Sequence, residues 1–132
     1  MAPEIITGAG HGRGADWWSL GALLYEMLSS RPPHYNKNRN QMLTDISSKP
    51  VEMKPYFNED VSNLLKRLLE RNPKKRIGCK AEDADEIRAH PWFSDINWDK
   101  VGNRTHEAIF KPKVKGVEDV SCIDKLFTKE GL

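Results

Sequence analysis

At 132 residues with 38% hydrophobic side chains, the chain has the size of a single domain and can fill one core. Its 21 Lys and Arg nearly balance 19 Asp and Glu, a formal net charge of +2 that excludes the concentrated basic face of a nucleic-acid binder. Two cysteines exclude a disulfide framework, and no uncharged apolar run is long enough to span a membrane.

No hydrophobic leader follows Met1, so a soluble protein of the cytosol or nucleus is expected. Met1 to Ala15 carries Gly8, Gly10, Gly12 and Gly14 and reads as a loop after a short turn. No strand precedes these glycines and they lack phosphate-loop spacing, so they read as freedom in a connector. Asp16 is placed to cap the helix that follows, DWWSLGALLYEML. Apolar residues cover every side of that segment, which predicts a helix buried all round, because it is too short to span a bilayer. Pro32-Pro33 forbids its continuation.

A weaker helix is expected over Gln41 to Ser47, followed by a loop through Pro50 and Pro55. From Asn58 to Pro73, the residues Val61, Leu64, Leu65, Leu68 and Leu69 form one helical stripe. Asn58 is its expected cap, Glu59 and Asp60 suit its positive end, and Arg71 suits its negative end. A short helix is expected near Asp83, with Glu86 completing a capping box and His90-Pro91 closing the segment. Beyond about Asn97 the periodicity fades into a polar, charged tail, expected to be extended. Neither an internal repeat nor a strong strand pattern occurs. The fold class is therefore mainly α.

Four strings in order are more specific: MAPE, DWWSLGALLYEML, LLERNPKKRIG and HPWF. Together they resemble the C-terminal lobe of a eukaryotic protein kinase, from its A-P-E motif to its last helix. The tail, INWDKV to KLFT, resembles the C-terminal extension of the AGC group, with the ribosomal S-six kinases the most similar branch. The implied organisation is a partial protein-kinase C-lobe over 1–93 and the AGC extension over 94–132. Four positions depart from the family pattern. Ala108-Ile109 stands where Pro-Pro is usual, and Ile123 and His34 stand where Phe is common.

The resemblance implies structural roles for Ala2, Pro3, Glu4, Asp16, Trp18, Gly21 and Arg76. Asp16 would accept hydrogen bonds from amides of the kinase catalytic loop, beyond the capping that its position alone suggests. Glu4 would pair with Arg76, and losing one partner of such a buried pair costs about 3–5 kcal/mol. Glu26, in Tyr25-Glu26-Met27, matches the acid that contacts a substrate arginine in basic-residue-directed members; an ordinary surface carboxylate with a local ion pair is the equal alternative. Phe110, Pro112 and Phe127 match landmarks by which the extension docks across both lobes.

Phosphoryl transfer needs a nucleotide cradle, a phosphate-binding lysine, metal-binding carboxylates and a base near the acceptor hydroxyl. The glycine-rich loop, V-A-I-K, H-R-D and D-F-G motifs that supply them in the family do not occur in this sequence. No catalytic or metal-binding residue is therefore assigned to it. ATP and Mg belong to the parent kinase that the resemblance implies. That parent's N-lobe and catalytic loop are the expected partners, with basic peptides as substrates, and neither nucleic acid nor membrane is expected to bind. The main expectation is an inactive piece of a Ser/Thr kinase; the alternative is a noncatalytic module that binds kinase substrates or regulators. Leaving a few hundred Å² of apolar helix uncovered, at roughly 25 cal/mol per Å², would offset several kcal/mol and favour a molten or aggregating chain.

Overall fold

The computed structural model describes residues 1–129. It divides into two compact units, Met1–Ile96 and a second beginning at Asn97. The first unit runs past Phe93 because a turn, closed by the Ile96 N–H on the Phe93 carbonyl (3.0 Å), continues the last short helix. Among the described residues there is no strand, and the protein is mainly α.

The first unit contains five helices: α1 (Pro3–Ile6), α2 (Gly14–Ser29), α3 (Arg39–Ser48), α4 (Glu59–Leu68) and α5 (Ala84–Arg88). A 3₁₀ turn at Pro91–Phe93 closes it. Helix α4 supplies the centre of the core. Its predicted stripe is fully sequestered, with Leu64, Leu65 and Leu68 at 0% exposure. Asn58 caps it by accepting from the Val61 N–H at 2.9 Å, and Glu59 and Asp60 sit in its first turn. The helix ends at Leu68, so the cations in its last turn are Lys66 and Arg67, whereas Arg71 lies beyond it.

Helix α2 packs along α4, and Gly21 makes the close approach possible. A Cβ there would stand 2.8 Å from the Leu68 Cβ and 3.1 Å from Leu69. Trp18 and Tyr25 extend this face into a cluster with Ala2, Val61, Leu65 and Leu69. A second cluster, Leu64, Leu68, Ile77 and Ile87, lies on the other side of α4 and is closed by Trp17 and Phe93.

Three sequence expectations are corrected here. Helix α2 begins at Gly14, not Asp16, because Gly14 and Ala15 are small enough to be buried in the first turn, and Asp16 is exposed there without capping it. The helix is also not enclosed. Leu23 is 55% and Met27 74% exposed, with Leu20 and Leu28 open beside them, so the helix has one packed side and apolar residues left uncovered elsewhere. At Asp83 no capping box forms. Asp83 instead accepts from the Trp17 indole (3.0 Å), and Glu86 accepts from the Gly78 N–H (2.9 Å) and pairs with Arg67 (2.9 Å). Long-range partners outbid the local cap.

Helix α3 is capped by Asn38, whose side chain accepts from Asn40 and Gln41, yet it has no fully buried residue. In the second unit, α6 (Trp98–Gly102) and α7 (Lys125–Thr128) are short helices among exposed apolar side chains. Few apolar contacts are available to support longer ones.

Gly21→Ala is expected to lower unfolding stability by about 1–3 kcal/mol through overpacking against α4. Gly102→Ala, where a Cβ would meet nothing within 4 Å, should leave it unchanged. Urea unfolding followed by tryptophan fluorescence compares the two.

Candidate functional site

The first residues of the chain are bound to the helical unit by one side chain. Arg76 is 0% exposed, and its guanidinium meets partners in every direction. Its Nη1 and Nη2 donate to the two carboxylate oxygens of Glu4 at 2.7 and 2.9 Å, a bidentate pair. Nη1 also donates to the Gly14 carbonyl (2.6 Å), and Nε donates to the Glu70 carbonyl (2.8 Å). The guanidinium lies 5.2 Å from the Trp18 ring centroid, a cation–π distance. One residue thus joins α1, the start of α2 and the end of the α4 segment.

Local sequence explains why these partners converge. Pro3 at the first position of α1 pre-sets the helical turn, and Ala2, 0% exposed, fits against Trp18 and Leu65. Glu4 is thereby carried into the interior. Hydrogen bonds from Arg76 hold its carboxyl below the ordinary carboxylate pKa, although burial opposes the shift. At the opposite end of the pair, Gly14 leaves room for the Cys79 side chain. A Cβ at Gly14 would fall 2.5 Å from the Cys79 sulfur.

A cavity of ≈ 430 Å³ opens beside this network, lined in part by Glu4, His11, Arg13, Lys74 and Cys79. Burial pushes the Cys79 thiol up, away from the thiolate needed for nucleophilic attack. Among the described residues, no three His, Cys, Asp or Glu side chains gather as a metal site. The glycines at 8–14 form a connector into α2, not a strand-to-helix phosphate loop. The residues present do not fit an ATP–Mg site.

Asp16 lies exposed in the first turn of α2; its N–H donates to the Arg13 carbonyl (3.0 Å), and its carboxylate has no hydrogen bond or ion pair among the described residues. Trp18 is 2% exposed against Arg76, and Gly21 lies against α4. Ala2, Pro3, Glu4, Trp18 and Arg76 are therefore brought together, while Asp16 projects outward. Glu26 is also exposed, without a side-chain partner among the described residues. In the second unit Phe110, Pro112 and Phe127 are exposed.

Sequence reasoning missed the contacts that Trp17 and Gly78 make, and named His90 without its partners. The Trp17 indole donates to both the Gly78 carbonyl and Asp83, each at 3.0 Å. Gly78 adopts φ 80°, and a Cβ there would meet the Trp17 ring at 2.7 Å. His90 accepts from the Trp92 N–H through Nδ1 (3.2 Å) and meets the Asn63 side chain at Nε2 (3.0 Å).

The family model of the protein kinase domain matches residues 1–93. The chain belongs to the protein kinase family. It is 44% identical over 130 residues to Protein kinase 2 of Dictyostelium discoideum, covering 98% of this chain and 27% of that protein. Ribosomal protein S6 kinase beta of Caenorhabditis elegans is 40% identical over 129 residues, with coverages of 98% and 24%. Serine/threonine-protein kinase Sgk1 of Xenopus tropicalis is 42% identical over 130 residues, with coverages of 98% and 31%. These relatives are AGC kinases, and the chain spans about a quarter to a third of their lengths.

Glu4→Gln is expected to lower unfolding stability by about 3–5 kcal/mol, because Arg76 keeps a buried charge without its counterion. Replacing both partners with Met should recover part of that loss. The sign of the pH dependence follows from the lowered carboxyl. The pair stabilises fully above the unfolded value of 4.5 and loses its contribution as pH falls through the lower folded value. Urea titrations at several acidic pH values should show that slope in the native chain and lack it in Glu4→Gln.

Proposed function

We propose that this chain is C-lobe and C-terminal extension sequence of an AGC-group serine/threonine kinase whose complete form transfers the ATP γ-phosphate to Ser or Thr in basic peptides. By itself the chain is inactive. The observation that carries the reading is the buried Glu4–Arg76 pair, which ties the A-P-E segment to the helical unit in a chain that the protein kinase model matches over residues 1–93.

The uncovered side of α2 supports a missing half as the partner. Leu20, Leu23, Met27, Trp92 and Phe93 line a wholly apolar groove of ≈ 130 Å³. In the intact kinase this side packs against the catalytic half, and the outward Asp16 holds the catalytic loop through its backbone amides. Glu26 takes the substrate arginine; its exposure and lack of a local partner suit a charge-assisted pair with an incoming guanidinium. ATP and Mg bind the parent through residues outside this sequence.

Purified 132-residue chain, incubated with radiolabelled ATP, Mg and an arginine-rich peptide, is expected to incorporate no label above the blank. The same residues substituted for their counterpart in Protein kinase 2 of D. discoideum should yield an active kinase. In that chimera Glu26→Gln should lower kcat/KM about tenfold for peptides with arginine before the phosphosite, and little for peptides without it. Label incorporation by the chain alone, or an inactive chimera, would overturn the proposal.

A further inference from the structure

The loop between α2 and α3 contains a buried polar atom to which no described residue donates or accepts a hydrogen bond. Nε2 of His34 is buried and has no hydrogen-bond partner among the described residues. The residue adopts φ 59°, in the left-handed region, where non-glycine residues are uncommon and histidine is among the more tolerant. A buried polar nitrogen without a partner is tolerable while neutral and strongly unfavourable once charged.

We propose that His34 is a proton-operated latch: its neutral imidazole holds the α2–α3 loop and α3 against the rest of the first unit, and protonation releases them. The charged groups around it leave little room for an added cation. From α3 and its end, Asp45 and Lys49 approach; from beyond α4, Arg71 does. Asp45 is the sole anion of the three and is already engaged, by Lys49 at 3.0 Å and by the Gln41 amide at 2.7 Å. Around the adjoining cavity of ≈ 360 Å³ stand Arg31 and Lys54, with Glu52 paired to Lys54 at 3.7 Å. Burial pushes the imidazole below the ordinary histidine pKa of 6.5; Asp45 opposes the shift, and Arg71 and Lys49 add to it.

The element that would move is weakly held. Helix α3 contributes only half-buried Met42, Leu43 and Ile46, and its Asn38 cap is local to the helix. Elements with so few buried contacts open at low free energy. The sign is fixed by linkage: the imidazole is lowered on folding, so its contribution is intact above pH 6.5 and is lost as pH falls below that value. His90 is also lowered by burial, but it sits beside α4 and Trp92 and will report there.

Hydrogen–deuterium exchange by mass spectrometry on the 132-residue chain, corrected for intrinsic rates, tests the latch. From about pH 7.5 to about pH 5, exchange in peptides covering 39–48 should accelerate about tenfold or more, while the α4 core stays protected. In His34→Gln the acceleration should disappear, and the His34 Cε1 proton in the native chain should titrate below 6.5 by NMR. His34→Phe, which keeps an aromatic ring in place, serves as reference if Gln fails to hold α3 at the higher pH. If both variants lose α3, the titration decides alone. Exchange of α3 that ignores pH, acceleration that survives in the variants, or titration at or above 6.5 would overturn the latch.

Discussion

The first unit depends on one guanidinium buried where three chain segments meet. Arg76 uses its donors on the Glu4 carboxylate and on the backbone carbonyls of Gly14 and Glu70, and sets its face against Trp18. Arginine suits this position because its planar fork serves several acceptors at once and stays charged when dehydrated. Without Glu4 the same arrangement would strand a charge in the interior. Hydrophobic packing of α4 gives the unit its bulk, and this ion pair fixes where the N-terminal segment must lie.

Helix α2 has a different kind of asymmetry. Its packed side is defined by Gly21, Trp18 and Tyr25, residues chosen by shape against α4. Another side leaves Leu23 55% and Met27 74% exposed, beside an apolar groove that they line with Trp92 and Phe93. Exposed apolar surface of this continuity marks an interaction face or an aggregation liability. The packed side and buried ion pair direct the earlier concern about a molten chain towards stickiness at one face.

Much of this was legible in the sequence, and what was not has a common cause. The α4 stripe, the Asn58 cap and the proline stop after α2 are local signals, and each corresponds to a local structural event. The resemblance to a kinase lobe supplied the Glu4–Arg76 relationship, which spacing alone could not, because its partners lie at opposite ends of the unit. Periodicity could say that α2 was apolar all round, but not which side would find a neighbour. Asp83 and Glu86 matched a capping box and were taken instead by Trp17, Gly78 and Arg67, because buried or long-range donors compete with nearby amides. His34 was legible only as a departure from the family pattern; its unusual state is a product of packing.

The meeting of Gly14 with the Cys79 sulfur has a consequence for how this chain can change. With 2.5 Å between that sulfur and the place a methyl would occupy, position 14 is not independently variable. A larger residue at 14 becomes admissible after 79 shrinks, and in the reverse order the intermediate is a misfit. Such a pair should drift through descendants as a linked set, crossing by way of the smaller sulfur-side partner.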